Sequence, residues 1–413
     1  MTLAFTHETL RQRILFGTGK ATVNVATEMD RLGTTRPMVI AAPSKRSLAE
    51  TVADGVNTVL WWDDVNQHVP LAVAERARSA AVEYGVDVLL SIGGGSTTGL
   101  AKAVALTTGI PIVAVPTTYA GSEATNIWGI TEGRTKTTGV DDRTLPATVI
   151  YDANLSKTLP VELSVASGLN GLAHCVDSLW APRTDPINQA LALEGARVLN
   201  LALRGIVLDP GDIGSREQAL YGCYLAAVAF SSAGSGLHHK ICHVLGGTFE
   251  LPHAQTHAAV LPHVLAFNAP AVPELARRLA TALGYTPEGA GEHADRGGQH
   301  KLHAGRSHDG ASAAARALLG LYTALDAPRN LATCGFTTAG IPEAVERVMA
   351  AAPPSNPVPV TQQGITSLLQ HALHGIAPGS IVRHGRKAQN GMADFCLSKR
   401  CDWSPTARLP EES

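Results

Sequence analysis

The stretch Val86-Asp-Val-Leu-Leu-Ser-Ile-Gly-Gly-Gly-Ser96 decides the fold. Its apolar run has strand length and ends in three glycines, after which a helical pattern runs from Leu100 to Thr107. A buried strand that turns through glycine into a helix is the repeating unit of a parallel α/β sheet. The same alternation surrounds it. Pro37-Met-Val-Ile-Ala-Ala-Pro43 reads as an earlier strand. Leu71 to Tyr84 reads as a helix with apolar positions at Leu71, Val73, Ala77, Ala81 and Val82. Ile110-Pro-Ile-Val-Ala-Val-Pro116 is the next strand and Ala147-Thr-Val-Ile-Tyr151 a later one. The pattern predicts a doubly wound, mostly parallel, Rossmann-like sheet over residues 1–155.

Beyond about Ser156 the character changes. Pro160 to Arg204, Ser215 to Ser232, Pro273 to Leu283, Ala311 to Leu325, Pro342 to Ala352 and Thr361 to Gly375 read as helices, with no convincing strand between them. An all-α second domain is therefore expected over 156–381, followed by an irregular tail, 382–413, whose start clusters Arg383, Arg386 and Lys387. Tyr285 to Gly310 has almost nothing to bury and reads as a mobile loop, its histidines (His293, His300, His303, His308) outside any expected site. The chain of 413 residues is long enough for two such domains. A formal net charge of -2 predicts no partnership with nucleic acid. No apolar run reaches the ~18 residues of a membrane helix, and the first residues lead to the expectation of no signal peptide. Six scattered cysteines without a C-x-x-C pair read as reduced thiols of a cytoplasmic protein. Cys175 and Cys242 adjoin histidines and are expected to pack rather than to ligate.

The glycine turn carries the first chemistry. Gly93, Gly94 and Gly95 let backbone approach a ligand, and free N–H groups at the helix start favour a phosphate. Ser96 is expected to cap the helix and to donate to a phosphate. The next strand ends in Thr117 and Thr118, with Ser122 beyond, and adjacent strand ends of an open parallel sheet are where ligands bind. These residues are candidates for a dinucleotide site. Lys136 faces either the cofactor or solvent. The first strand ends in Ala42-Pro-Ser-Lys-Arg46 with no acid to select NAD, so Ser44 and its basic neighbours are expected to admit NADPH beside NADH. The G-x-G-x-x-G fingerprint is absent, which excludes an ordinary Rossmann enzyme.

The second chemistry lies in Gly236-Leu-His-His-Lys-Ile-Cys-His-Val-Leu-Gly-Gly-Thr-Phe-Glu-Leu-Pro-His253 and in Asn170-Gly-Leu-Ala-His174. His239 and His243 are four apart and share a helix face, as do Asn170 and His174. With His253 they make one polar pocket that either holds a metal or handles protons. His238, His257 and His263 read as structural.

Together, Gly93 to Ser96, Pro116-Thr-Thr118, Asn170-x3-His174 and His239-x3-His243-x9-His253 resemble the iron-containing, group III alcohol dehydrogenases over roughly residues 10–380. Ser96 to Lys102 and Gly236 to His253 look closer to the maleylacetate reductase branch. The resemblance implies a dehydroquinate synthase-like two-domain architecture, a nicotinamide cofactor and a homodimer. It places the family's metal-binding aspartate and three histidines at Asn170, His174, His239 and His253, and a proton-moving histidine at His243. Asn170 departs from the family aspartate. A neutral amide is a poorer ligand for Fe²⁺ or Zn²⁺ than a carboxylate, and its neutrality favours a doubly negative substrate.

The expected reaction is reduction of the conjugated carbon–carbon double bond of maleylacetate to 3-oxoadipate by NADH or NADPH, with no metal required. His243 and His253 are expected to donate to the substrate, with Asn170, His174, His239 and Lys240 around it and Tyr322 as a further proton donor. If a metal is present, His174, His239 and His253 would hold it. Two alternatives stand beside this reading. One is a metal-dependent alcohol or polyol dehydrogenase. The other is a nonredox nucleotide-binding protein.

Overall fold

The computed structural model describes residues 3–286 and 308–376. Three expectations fall outside them: most of the 285–310 loop with His293, His300 and His303, the tail 382–413 with its basic cluster, and the last two cysteines, Cys396 and Cys401. His308 begins a helix.

The N-terminal half runs β1 (Arg13–Phe16), α1 (Ala21–Leu32), β2 (Pro37–Ile40), α2 (Arg46–Val52), β3 (Leu60–Trp62), α3 (Leu71–Glu83), β4 (Val88–Gly93), α4 (Gly95–Thr108), β5 (Ile112–Pro116), β6 (Ile127–Glu132), β7 (Thr135–Val140) and β8 (Thr148–Tyr151). Six of these strands form one sheet in the order β1-β8-β5-β4-β2-β3. Every pairing in it is parallel. All six residues of β4 are buried, which explains its uninterrupted apolar run. β4 and β5 pair with Gly93 opposite Pro116, so the glycine turn and the Thr117–Thr118 pair leave the sheet at one level.

The edge strands β1 and β3 and the helix α1 are not among the expected elements. Neither is the antiparallel hairpin β6–β7, which stands outside the main sheet. In β6 the apolar Ile127, Trp128 and Ile130 are interrupted by Gly129, and β7 is mostly polar, so neither resembles the continuous apolar runs of buried strands.

The rest is helical: α5 (Val161–Ser178), α6 (Pro186–Leu208), α7 (Ile213–Ala233), α8 (Leu237–Phe249), α9 (His253–Asn268), α10 (Pro273–Ala282), α11 (His308–Ala324), α12 (Ile341–Ala351) and α13 (Gln362–His374). Among the described residues no strand lies beyond β8. The single helical stretch read from Pro160 to Arg204 is two helices, separated at Asp185, whose carboxylate accepts from the Ile187 and Asn188 amides and caps α6. α6 and α7 approach closely at Gly195 and Gly222: a Cβ on Gly195 would stand 3.0 Å from Cys175 Sγ and 3.2 Å from the Gly222 carbonyl. Cys175 is thus a packing residue, as expected. No single described helix is long and apolar enough to cross a membrane. Residues 3–376 belong to one compact unit, within which the sheet and the helices share a core.

Candidate active site

A cleft of about 360 Å³ joins the two chemistries. At one end Gly95, Ser96, Thr118 and Ser122 line it; at the other, Asn170, His174, His239, His243 and His253. The helical half supplies the second group from three elements: Asn170 and His174 from α5, His239 and His243 from α8, and His253 from the first position of α9.

The glycine end has the form of an anion site. α4 begins at Gly95 with Gly94 as its cap, and no side chain satisfies the cap. The first-turn amides therefore remain available. Ser96 lies inside the first turn and does not cap the helix, contrary to expectation. Gly93 and Gly94 shape the turn without lining the cleft. Gly94 packs on Thr118, where a Cβ would approach Cγ2 to 3.0 Å. The Gly93 carbonyl accepts from the Thr117 amide at 2.9 Å, and Thr117 itself is buried behind the cleft. Ser44 does not reach the cleft; it is exposed in a short turn after β2. Arg46, one turn on, stacks over Trp61 and pairs with Glu50.

Lys102 closes the motif that begins at Ser96 but was expected to have no role of its own. It is fully buried on α4, and its ammonium donates to the Ser122, Thr125 and Ile127 carbonyls and to Thr125 Oγ1, at 2.6 to 3.0 Å. It thereby fixes the 122–127 loop against the cleft. Burial brings its pKa down to about 7, opposed by the charge of Glu123. The available signal was a lone lysine in an otherwise small and apolar helix.

The histidine end is organised by Asp177, also missed. It lies three residues after His174 on α5, hence on the same face. Its Oδ2 accepts from His239 Nδ1 at 2.7 Å, and its two oxygens accept from the His238 and His239 backbone amides at the start of α8. A buried carboxylate at a helix N-terminus is favourably placed. Desolvation pushes its pKa up, opposed by His238 and these amides. With Nδ1 donating to Asp177, His239 turns Nε2 away, and that atom is buried without a partner among the described residues. Asn170 Oδ1 and His174 Nδ1 are likewise unpartnered. The His174 and His239 rings stack 4.8 Å apart with Phe230 beside both. His243 and His253 make no side-chain hydrogen bond among the described residues. Burial lowers the pKa of His174, His239, His243 and His253, and neighbouring cationic groups lower it further. All four are neutral imidazoles near neutral pH.

Lys136, read as facing the cofactor or solvent, lines the cleft beside His243 and His253, whose protonation its charge disfavours. Two expected residues lie elsewhere. Lys240 does not line the cleft, because on α8 it is turned about 100° from His239, off the face that His239 and His243 share. Tyr322 is buried with its hydroxyl donating to the Ala258 carbonyl at 2.7 Å; it holds α9 and does not reach the cleft. His238 and His257 pair beneath the site, with Nε2 and Nδ1 3.0 Å apart. Cys242 Sγ stands 3.6 Å from His238, a closer association than simple packing.

The donor set that the family resemblance assigns to a metal fits one only in part. His239 is oriented by a carboxylate, as metal-ligating histidines are. The set lacks an anion, since Asn170 offers an amide and Asp177 is committed to α8. Among the described residues, the ligand atoms that lie within 4.8 Å of one another belong to His238, Cys242 and His257, not to His174, His239 and His253. That trio is already hydrogen-bonded internally and does not line the cleft.

Residues 11–153 match the family described as iron-containing alcohol dehydrogenase, and residues 164–373 match the C-terminal region of the Fe-containing alcohol dehydrogenase family. The chain is 41% identical over 378 residues to the maleylacetate reductase of Sphingobium indicum, covering 91% of this chain and 99% of that one. A solved structure from Corynebacterium glutamicum, named an iron-containing alcohol dehydrogenase, is 52% identical with a TM-score of 0.83, covering 92% of this chain and 100% of that one. The maleylacetate reductase structure from Rhizobium sp. strain MTP-10005 is 39% identical with a TM-score of 0.79, covering 91% and 100%.

Proposed function

The chain belongs to the iron-containing alcohol dehydrogenase family, and from this premise we propose that it is a maleylacetate reductase, an NADH- or NADPH-dependent oxidoreductase. It reduces the carbon–carbon double bond conjugated to the ketone of maleylacetate, giving 3-oxoadipate. One observation carries the reading. Five histidines and two lysines line the cleft, and no acidic side chain does among the described residues. A dicarboxylate and a dinucleotide are both anions, and this cleft offers no carboxylate to repel either.

When bound, the nicotinamide supplies the hydride. The chain's own groups do the rest. The open amides of the α4 N-terminus hold the pyrophosphate, and Lys102 keeps the adjacent loop in place. Hydride addition at the carbon remote from the ketone leaves an enolate oxygen. His243 and His253, free of other partners, donate to that oxygen. A neutral imidazole is a competent donor to developing negative charge, and donors preorganised in a buried site are worth more than in water. One proton from solvent then completes the carbon next to the ketone, so one NAD(P)H and one proton are consumed per substrate. His239 and Asp177 hold the array in register.

We propose that turnover needs no metal, supported by the neutral amide at Asn170 and the separation of the histidine ligand atoms. Both nucleotides are retained because the Pro43–Lys45 turn carries no acid. The resemblance supports a cytoplasmic homodimer acting on a small dicarboxylate. The Asp177–His239 pair favours a second reading, a metal-dependent alcohol dehydrogenase, since it would equally raise the basicity of a ligating histidine.

The test is oxidation of NADH and NADPH by the purified protein with maleylacetate, with the product identified by mass. Stoichiometric 3-oxoadipate is expected. Alcohol oxidation without maleylacetate turnover would establish the second reading, and nucleotide binding without either reaction would make the protein nonredox.

A further inference from the structure

The segment Gln67–Pro70 enters the cleft from the sheet side, where neither the glycine turn nor the histidine motif accounts for it. His68 and Val69 both adopt positive φ, 62° and 51°. A β-branched residue in the left-handed region is an outlier, and two successive non-glycine residues there are costly. The surrounding contacts impose the geometry. Thr131 of β6 donates its hydroxyl to the His68 carbonyl at 2.8 Å and its amide to the Val69 carbonyl at 3.0 Å. On the other side Val69 packs on α4 at Gly99, where any Cβ would stand 2.9 Å from Val69 Cγ2. The result of this strain is the aim of one side chain. The His68 ring lines the cleft 6.4 Å from the His253 ring, edge to face, and its Nε2 is buried without a partner among the described residues.

The same hairpin carries Lys136 on β7. It lines the cleft too, and makes no ion pair among the described residues. Its backbone packs on α8 at Gly247, where a Cβ would meet Lys136 Cβ at 2.7 Å, so no larger residue fits between the hairpin and the histidine helix. Burial lowers the pKa of His68, as does the charge of Lys136; the Leu251 backbone and Glu250 oppose this. Two basic groups therefore face one small volume with no anion between them.

We propose that His68 and Lys136 form a carboxylate subsite that binds one end of the dicarboxylate substrate while His243 and His253 address its ketone oxygen. The proposal rests on the maleylacetate reductase reading. The unpartnered His68 Nε2 and the Lys136 ammonium face the same volume, and each can donate to a carboxylate oxygen there. Lys136 supplies the second donor, on an ammonium whose pKa burial lowers. The strained segment places His68 before substrate arrives, so binding pays little ordering entropy.

The experiment is steady-state kinetics of His68→Ala and His68→Gln with maleylacetate and with its monomethyl esters, beside NADH affinity by fluorescence titration. For wild type, both esters are expected to show a raised KM. For His68→Ala, KM for maleylacetate is expected to rise at least tenfold while kcat falls less than threefold. The penalty should vanish for the ester that lacks the bound carboxylate, and His68→Gln should recover part of the loss. NADH affinity should remain within twofold. An unchanged KM, an equal penalty on all three substrates, or a loss confined to NADH affinity would each overturn the subsite. Wild-type protein that fails to turn over maleylacetate at all would overturn the underlying reading instead. A circular dichroism melt confirms that the variants fold.

Discussion

At the residue scale, the candidate site was legible where spacing alone brings groups together. Asn170 and His174, and His239 and His243, are i, i+4 pairs, and both line the cleft. His253 follows a proline at the head of its helix and joins them. Residues that act through a partner distant in sequence were not legible. Asp177 reaches His239 across 62 positions, and Lys102 reaches four acceptors contributed by a loop 20 to 25 residues on. Tyr322 was the converse error, since its hydroxyl is consumed by a backbone carbonyl that no pattern reveals. His243 is the residue on which the chemistry most depends, because nothing else in the described structure occupies its nitrogens. His243→Ala is expected to lower kcat for maleylacetate at least tenfold, or about 1.4 kcal/mol of transition-state stabilisation, with the melting temperature unchanged. A near-wild-type kcat would remove it from the mechanism.

At the scale of elements, the apolar strands β2, β4, β5 and β8 were read within a few residues because both their faces are buried. The edge strands and the β6–β7 hairpin were missed for the complementary reason, and with them went the position of Lys136. Packed on α8, that hairpin brings the lysine into the cleft beside the histidines. The junction between α5 and α8 offers the sharpest test of how elements set the site. Gly236 precedes α8, and a Cβ there would stand 2.5 Å from Asp177 Oδ1 and 2.7 Å from its Cγ. The carboxylate that receives the α8 amides has no room to move aside. Gly236→Ala is expected to destabilise the protein by about 1–3 kcal/mol and to lower kcat through the displaced Asp177–His239 pair. Thermal unfolding and turnover should fall together; wild-type values for both would show that the junction is looser than it looks.

At the scale of the whole molecule, the division into a parallel sheet and a helical half was legible because the hydrophobic period changes from strand to helix near Ser156. The burial of so many histidines was not legible, and it has a consequence for stability. Burial holds His238 and His239 down to about 3 and His263 down to about 4, against an ordinary value of 6.5. Between those values and 6.5 the unfolded chain binds more protons than the native one, so stability rises with pH in that window. The native state has its full stability above 6.5 and loses it as pH falls toward 4. Each such histidine contributes a slope of up to about 1.4 kcal/mol per pH unit. The thermal midpoint is expected to be level from pH 8 to 7 and to drop steeply from 6.5 to 5. A midpoint that holds or rises on acidification would contradict the neutral, buried array. The proposed metal-free reaction depends on that array, so the decisive measurement is maleylacetate-dependent NADH oxidation after exhaustive chelation, with metal content measured on the same sample. Full activity at far less than one metal per chain is the expected result. Activity lost on chelation and restored by Fe²⁺ or Zn²⁺ would mean that His174, His239 and His253 ligate a cation after all.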